Sequence, residues 1–481
     1  MEYKFKLARN LSRFELQKLG LMAVVGCFLL LSPTILTMTK PCMDSFSNWI
    51  KSKTLEDDPA CHEQEMSSCR KGTNNASQED NLAGTKQDGR NDSKLESRPT
   101  CDVSGPRSIV CEMDGDVRIH GNSSSVIWIA SSNTSRRNEA WQKIKPYARK
   151  GDITALHSVR ELSLRSMSRH DEAPACTVNH SVPAIVFSTA GYAGNMFHDF
   201  SDMLIPLFLT SHRYHGEVRF LITNMKPWWI RKYGEMLRHL SYYEIINFDD
   251  GDEIHCFPHV IVGLQCHKEF NIDPSRPPAG YSMANLTQFM RSSYSLEREM
   301  ITKAGEHTGR KPRLLIISRK RTRSLTNTNQ IVEMAEEVGY EVVVVEPSLR
   351  TDMAEFARIV NSCDVMVGVH GAGLANMVFL PRNAVLIQIV PWGQLGGIAR
   401  YDFGWSASNA RLKYLQYEIS LEESSLMEQY PRDHPIIKDP LSVHKQGWGA
   451  VRDTFLYKQN IRLDVRRFRT VLSEALGHLH R

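Results

Sequence analysis

The sequence predicts an α/β protein whose two doubly wound halves face each other across a cleft, behind an N-terminal membrane anchor and a flexible stem. Two observations carry the fold class. The apolar runs at 342–345, 365–369 and 385–390 are nearly continuous rather than alternating, the pattern of parallel strands covered on both faces. Segments of helical periodicity separate them, as β–α–β units require. A third observation supplies the anchor. Residues 19–39 read LGLMAVVGCFLLLSPTILTMT, without a charged side chain, and are long enough to cross a bilayer core of about 30 Å.

From the N-terminus, residues 1–18 carry Lys4, Lys6, Arg9, Arg13 and Lys18 against Glu2 and Glu15. The positive-inside rule makes this a cytosolic tail and puts the chain after Lys40 on the lumenal side. A cleaved signal peptide is the rival; its apolar core should be shorter and end in a small-residue site. Pro33 weakens the anchor helix. Residues 40–100 are too poor in large apolar groups to offset chain entropy, which predicts a flexible lumenal stem.

Residues 101–300 form the first half. Strands are expected at 126–129, 184–187 and 219–222, with helices over 195–213, kinked at Pro206, and over 228–240. Residues 301–450 repeat the alternation. Strands are expected at 314–317, 342–345, 365–369 and 385–390, with helices over 329–338, ended by Gly339, and 352–361, capped by Asp352. In residues 451–481 the spacing of Phe455, Leu456, Ile461, Val465, Phe468, Val471, Leu472 and Leu476 predicts a long amphipathic helix over 453–478. Its arginines Arg462, Arg466, Arg467 and Arg469 read as a solvated face.

A net charge of +5 over 481 residues is too mild to argue for a nucleic-acid partner. Sequons at Asn75, Asn91, Asn122, Asn133, Asn179 and Asn285 support passage through the secretory route as N-glycosylation sites. Of ten cysteines, Cys27 lies in the anchor and an odd number remains, so at least one is free or paired to another chain. Cys363 reads as a core thiol, while Cys101–Cys111 and Cys256–Cys266 could each close a local loop.

The residues that bear chemistry gather at the ends of the predicted strands. His370-Gly371-Ala372-Gly373 joins the 365–369 strand to an apolar helical pattern containing Asn376, which delivers a helix N-terminus to an anion. The two glycines allow backbone N–H groups to approach a phosphate closely. Asn376 stands where a dinucleotide fingerprint has its third glycine, which points to a nucleoside diphosphate rather than NAD. A tight turn beside a satisfied histidine is the plainer alternative. Arg319 and Arg323 follow the 314–317 strand, where guanidinium groups fork onto diphosphate oxygens, or else form an exposed basic turn. Glu346, ending the next strand, is placed to bond ribose hydroxyls or to pair with a neighbouring arginine. His198 and Asp202 share one face of the helix that opens after Asn195, and a carboxylate beside an imidazole suits a general base. Asp250 and Asp252 could hold a divalent cation, but Asp-Gly in a polar stretch is ordinary turn chemistry, so no metal is expected.

Taken in order, these pieces resemble glycosyltransferase family 61. The matching residues are Gly194-Asn195-Met-Phe-His198-x-Phe200-x-Asp202, then Ser318-Arg319, Arg323 and Asn327, then Glu346, Asp364 and Gly368-x-His370-Gly371-Ala372-Gly373-Leu374-x-Asn376. The block from Cys101 to His120 is similar to the plant branch. The resemblance implies a GT-B fold of two Rossmann-like lobes, an acceptor lobe and then a nucleotide-sugar lobe. It implies an inverting, metal-independent reaction by a type II Golgi membrane protein. The donor would be a UDP-pentose and the acceptor xylan or another glycan, as the plant branch adds arabinofuranosyl or xylosyl side chains to xylan. Another branch transfers xylose to N-glycans. Family members act through residues matching His198 and Asp202. Asn195, Arg319, Arg323, Glu346, His370, Gly371, Ala372, Gly373 and Asn376 would hold the nucleotide sugar. Association with other Golgi glycosyltransferases stays open, as does a non-catalytic, sugar-binding scaffold.

Overall fold

A computed structural model describes residues 99–130, 140–167, 173–301, 310–348 and 351–480. The tail, anchor and stem, with sequons Asn75, Asn91 and Asn133, lie outside the described residues. Among the described residues no helix is long and apolar enough to cross a membrane. Residues 90–443 and 451–481 make one compact unit, and the following concerns that unit.

The architecture is mixed α/β, built on two sheets. The first has ten strands: β1 (Thr100–Asp102), β2 (Val110–His120), β3 (Ser125–Ile129), β4 (Ala140–Ile144), β5 (Leu162–Met167), β6 (Val178–Asn179), β7 (Ala184–Ser188), β8 (Arg219–Thr223), β9 (Ile246–Asn247) and β10 (Ile254–Val262). Its order is β4-β5-β3-β2-β10-β7-β8-β9, with β1 on β2 and β6 on β10. The expected parallel pairing holds for β10-β7-β8-β9. The rest departs from a doubly wound sheet, because β2 runs antiparallel to both β3 and β10. β2 was not legible as a strand. Its run Val110-Cys-Glu-Met-Asp-Gly-Asp-Val-Arg-Ile-His120 is interrupted by charge, and its burial comes from the neighbours on either side.

The second sheet is all parallel, in the order β12-β11-β13-β14-β15: β11 (Arg313–Ile317), β12 (Glu341–Val345), β13 (Val365–Val369), β14 (Val385–Val390) and β15 (Lys413–Glu418). Helices Thr328–Val338 and Met353–Asn361 make the crossovers, with Gly339 as left-handed cap and Asp352 accepting from Glu355 N–H, as the sequence predicts. The run of four valines in β12 is not covered on both faces. It forms the sheet edge, and Val344 is 43% exposed. Strand order reverses between β11 and β13, so their carboxyl ends flank the crevice where such sheets bind ligands.

Three helical expectations change in detail. The 195–213 helix is a composite: a turn at Met196–His198, a wide π segment at Asp199–Leu204, α-helix at Ile205–Ser211 and a closing 3-10 turn. Pro206 is accommodated in the first turn of the α-helical piece, where its missing N–H costs least. The 228–240 helix is two, Pro227–Lys232 and Gly234–Leu240. The C-terminal helix is shorter than expected, Val465–Leu479, with Asp464 accepting from Arg466 and Arg467 N–H. Arg469 forms a surface ion pair with Glu337, while Arg467 pairs with the buried carboxylate of Glu423.

One apolar core joins the two sheets. It runs from Phe187, Phe200 and Phe208 of the first half to Leu374, Met377 and Phe379 of the second. Cys101–Cys111 is a disulfide, as one expected loop closure requires. The other expectation is overturned: Cys256 pairs with Cys176, and Cys266 is a buried free thiol, as is Cys363 of the core. The 249–252 stretch is a turn in which Asp249 accepts from Arg160 at 2.7 Å and Asp250 from Asn247. Asn122, Asn179 and Asn285 are exposed.

Candidate active site

The first cluster is built on Asp202. Its side chain is fully buried, in the π segment Asp199–Leu204 that follows the first turn of the helical region. Arg107 donates to Oδ1 at 2.8 Å, while Arg149 and the Tyr147 hydroxyl each donate to Oδ2 at 3.0 Å. His198 Nδ1 lies 3.0 Å from the same Oδ2. Burial opposes the charge, but the His198 hydrogen bond and the Arg149 and Arg107 guanidinium groups hold the Asp202 pKa down at about 2. Asp202 is therefore an anion at neutral pH, saturated with donors. Nδ1 faces both this carboxylate oxygen, at 3.0 Å, and a donor nitrogen of Arg149, at 3.2 Å; the nearer anion draws the imidazole proton to Nδ1, which leaves Nε2 of His198 as the basic nitrogen. The His198 side chain keeps 19% of its surface exposed where Asp202 keeps none. Of the two, His198 is the group able to reach a substrate, and Asp202 orients it.

Three residues that sequence reasoning missed complete this cluster. Arg107, Tyr147 and Arg149 come from loops 53 to 95 positions away, with no motif around them. Glu269 pairs with both Arg107 and Arg149, and balances their charge. Tyr147 sits against Gly191, where a Cβ would meet its ring at 2.4 Å. Asp199 is also buried but does another job. It accepts from Gly194 N–H, Trp229 and Tyr233, and so fixes the glycine loop to the core. Asn195 is exposed and caps the first turn, accepting from Phe197 N–H at 3.1 Å.

The second cluster lies at the carboxyl ends of β11 and β13. Arg323 is buried and Arg319 half-buried, and among the described residues no carboxylate pairs with either. Burial lowers the Arg319 pKa; burial and then Arg319 lower that of Arg323 to about 9. Arg323 donates to the carbonyl of His370 at 2.8 Å, and its Nε has no partner among the described residues. Gly371 has φ 139°, and a Cβ there would stand 2.9 Å from a guanidinium nitrogen of each arginine. Two adjacent cations, one buried and one half-buried, without a counter-ion among the described residues and beside a side-chain-free backbone turn, make a socket for a polyanion.

His370 is buried, its Nδ1 2.7 Å from the Gln388 amide and its Nε2 3.8 Å from Asp402. Burial, then Arg323 and Arg319, push its pKa down to about 3. The helical segment that follows, Ala372–Phe379, is 3-10 rather than α. Ala372 packs on the shared core. A Cβ at Gly373 would meet Ile317 at 2.8 Å, so that glycine serves close packing. Asn376 is buried and donates to the Gly373 carbonyl at 2.8 Å. Glu346 pairs with Lys320 at 2.7 Å rather than with an arginine.

Aromatic rings link the two clusters. Phe403 packs on Phe197, next to His198, and on His370, with ring centroids 5.4 and 5.9 Å away. The arrangement thus puts an activated imidazole and a cationic polyanion socket on neighbouring elements around one aromatic bridge. A cavity of about 660 Å³ elsewhere is lined by Asp116, Arg118, Asn179 and His180, none of them in either cluster. Asp116, Cys176 and Cys256 come together there, but both cysteines are spent in the disulfide.

The sequence carries relatives of this arrangement. The Glycosyltransferase 61 family matches residues 196–387, which take in His198, Asp202, Arg319, Arg323 and His370. The chain is 52% identical over 395 residues to alpha-1,3-arabinosyltransferase XAT3 of Oryza sativa subsp. japonica, covering 82% of this chain and 68% of that protein. It is 45% identical to beta-1,2-xylosyltransferase XYXT1 of the same organism, covering 79% of this chain and 84% of that protein. It is 36% identical to the xylan glycosyltransferase MUCI21 of Arabidopsis thaliana, over 80% of each. Of two rice arabinosyltransferases it matches, the chain spans 68% and 65% of the length. Among solved structures, the bacterial iron-containing dodecameric glycosyltransferase TibC aligns over 55% of this chain and 68% of that one at 10% identity. Its TM-score of 0.24 carries no argument. Identity of this extent, across both clusters, makes the chain a member of glycosyltransferase family 61 and a glycosyltransferase.

Proposed function

We propose that this glycosyltransferase transfers a pentose from a UDP-sugar to xylan, with arabinofuranose to O-3 of xylosyl residues as the leading reaction. The observation that carries the donor half is the adjacent pair Arg319 and Arg323 against Gly371, with no carboxylate partner among the described residues. The identity to the rice arabinosyltransferases supports the choice of sugar. In this reading the two sheets are the two lobes of a GT-B enzyme, acceptor lobe first. The anchor at 19–39 holds it in the Golgi membrane with the catalytic part in the lumen.

The chemistry follows from the two clusters. The acceptor hydroxyl gives its proton to His198 Nε2 as its oxygen attacks the anomeric carbon. The bond to the diphosphate breaks in the same displacement, which inverts the configuration. Asp202 stabilises the imidazolium that forms, and Arg107 and Arg149 keep Asp202 ionised. Charge growing on the departing UDP falls on Arg319 and Arg323, which do the work of a metal ion.

Incubating the purified protein with UDP-arabinofuranose or UDP-xylose and xylo-oligosaccharides tests this reading. Arabinosylated product with a 1,3 linkage is expected. Xylosyl product with a 1,2 linkage would establish the second reading, which the 45% identity to XYXT1 favours. UDP release with neither product would leave the donor reading and overturn the acceptor. No binding of either donor would return the chain to a non-catalytic scaffold.

A further inference from the structure

Gln388 interrupts the apolar run of β14 and is fully buried. An amide in such a place is costly unless its hydrogen bonds are made. One end of it lies 2.7 Å from His370 Nδ1 and the other 2.7 Å from the Tyr414 hydroxyl. That hydroxyl also lies 2.8 Å from Gln416 Oε1, and Gln416 Nε2 donates to Glu418 at 2.9 Å. The chain ends on a carboxylate, which only accepts, so direction propagates back from Glu418. Gln416 donates to Glu418 and accepts through its Oε1. Tyr414 has a single hydroxyl hydrogen, and Gln416 takes it. The Tyr414 oxygen must then accept from Gln388. The structure sets Gln388 Nε2 at His370 and Oε1 at Tyr414, which leaves two amide oxygens facing one hydroxyl hydrogen; turning the amide puts its NH2 on Tyr414 and its carbonyl on His370. An amide turned end for end fills the same volume, and this direction alone leaves no two oxygens in bare contact. Nδ1 of His370 carries the proton, and Nε2 is an acceptor. The ring is neutral, its pKa pressed down by burial and by Arg323 and Arg319.

The surroundings of Nε2 suit one kind of ligand atom. Asp402 Oδ2 is 3.8 Å away, Phe403 packs alongside, and the nearby Arg323 nitrogen is turned to the His370 carbonyl. A nitrogen lone pair beside a carboxylate repels phosphate oxygens and attracts hydroxyl donors. We propose that His370 Nε2 and Asp402 form a hydroxyl-recognising corner of the donor site, taking a hydroxyl of the ribose or of the transferred sugar, with Gln388, Tyr414 and Gln416 as positioning residues. This rests on the reading of Arg319 and Arg323 as the diphosphate end.

Calorimetric titration of the full chain with UDP, 2′-deoxy-UDP, 3′-deoxy-UDP, UDP-xylose and pyrophosphate tests it. The parent should lose about tenfold in affinity when the recognised hydroxyl is removed. In His370→Phe that difference should collapse to under twofold, with pyrophosphate affinity unchanged. If instead His370→Phe weakens UDP-xylose but neither UDP nor its deoxy forms, the hydroxyl belongs to the transferred sugar. Gln388→Glu still accepts from Nδ1–H and should keep the discrimination, whereas Gln388→Met should lose it. An equal loss in His370→Phe for UDP, both deoxy forms and pyrophosphate would put the ring on phosphate and overturn the corner. Loss of discrimination in Gln388→Glu but not in Gln388→Met would overturn the tautomer. If Arg323→Ala binds pyrophosphate and UDP like the parent, the diphosphate assignment fails, a result distinct from these.

Discussion

At the scale of residues, His198 and Arg323 separate chemistry from binding. His198→Ala should leave UDP affinity close to that of the parent and lower turnover by about 10²–10⁴, the scale of general-base loss. Arg323→Ala should weaken UDP binding and also slow turnover, since one such electrostatic donor is worth about 3 kcal/mol in the transition state. Calorimetry and UDP-release rates read both. Normal turnover in His198→Ala with inactivity in Asp202→Asn would reverse the roles of the pair. Asp202 also links the site to stability. Its pKa is depressed, from about 3.9 in an unfolded chain to about 2 here. The stabilisation is therefore complete above pH 4 and is lost as pH falls towards 2; it amounts to about 2 kcal/mol. Asp202→Asn should flatten the melting temperature over that window, measured by calorimetry against the parent. An unchanged acid slope would show that Asp202 is not held ionised by its neighbours.

At the scale of elements, the turn after β13 asks opposite things of its two glycines. Gly371→Ala puts a methyl group 2.9 Å from both site arginines at a positive φ. UDP affinity should fall at least tenfold with a modest change in melting temperature. Gly373→Ala meets Ile317 at 2.8 Å instead, so the melting temperature should drop more than UDP affinity does. The reverse pattern would mean that the phosphate approaches Gly373. The turn at 249–252 bears on metal dependence. Asp249 and Asp250 are occupied by Arg160 and Asn247, and Asp252 by Asn122. Transfer should survive EDTA almost undiminished. Activity lost to EDTA, restored by Mn²⁺ and absent in Asp250→Asn would make this turn a cation site.

At the scale of the whole molecule, topology is the open question that one experiment answers. Protease treatment of intact Golgi vesicles should spare residues 101–481, as expected for a lumenal domain behind an uncleaved anchor. Digestion of that part would refute the orientation. The parallel core of the second sheet was legible from the sequence, and so were Arg319, His370 and the pairing of His198 with Asp202. Strand ends, helix spacing and glycine turns are local properties, written within a few residues of one another. The first sheet was half legible. β2 carries Glu112, Asp114 and Asp116 and gains its burial from β3 and β10, which sequence spacing does not reveal. The valine run of β12 misled in the other direction, because only the strand order makes it an edge. The disulfide Cys176–Cys256 joins residues 80 apart, so the nearer pairing with Cys266 was the natural but wrong choice. What folding alone decided is the protonation of the site. Asp202 is an anion because Arg149 and Arg107 arrive from distant loops to join His198 around it, and its charge draws the proton on His198 to Nδ1. Gln388 was visible as a polar residue in an apolar strand, yet its effect on His370 depends on Tyr414, Gln416 and Glu418 lying along the neighbouring strand. Hydrogen-bond direction and charge balance are sums over partners in space, and they are fixed only when the chain has brought those partners together.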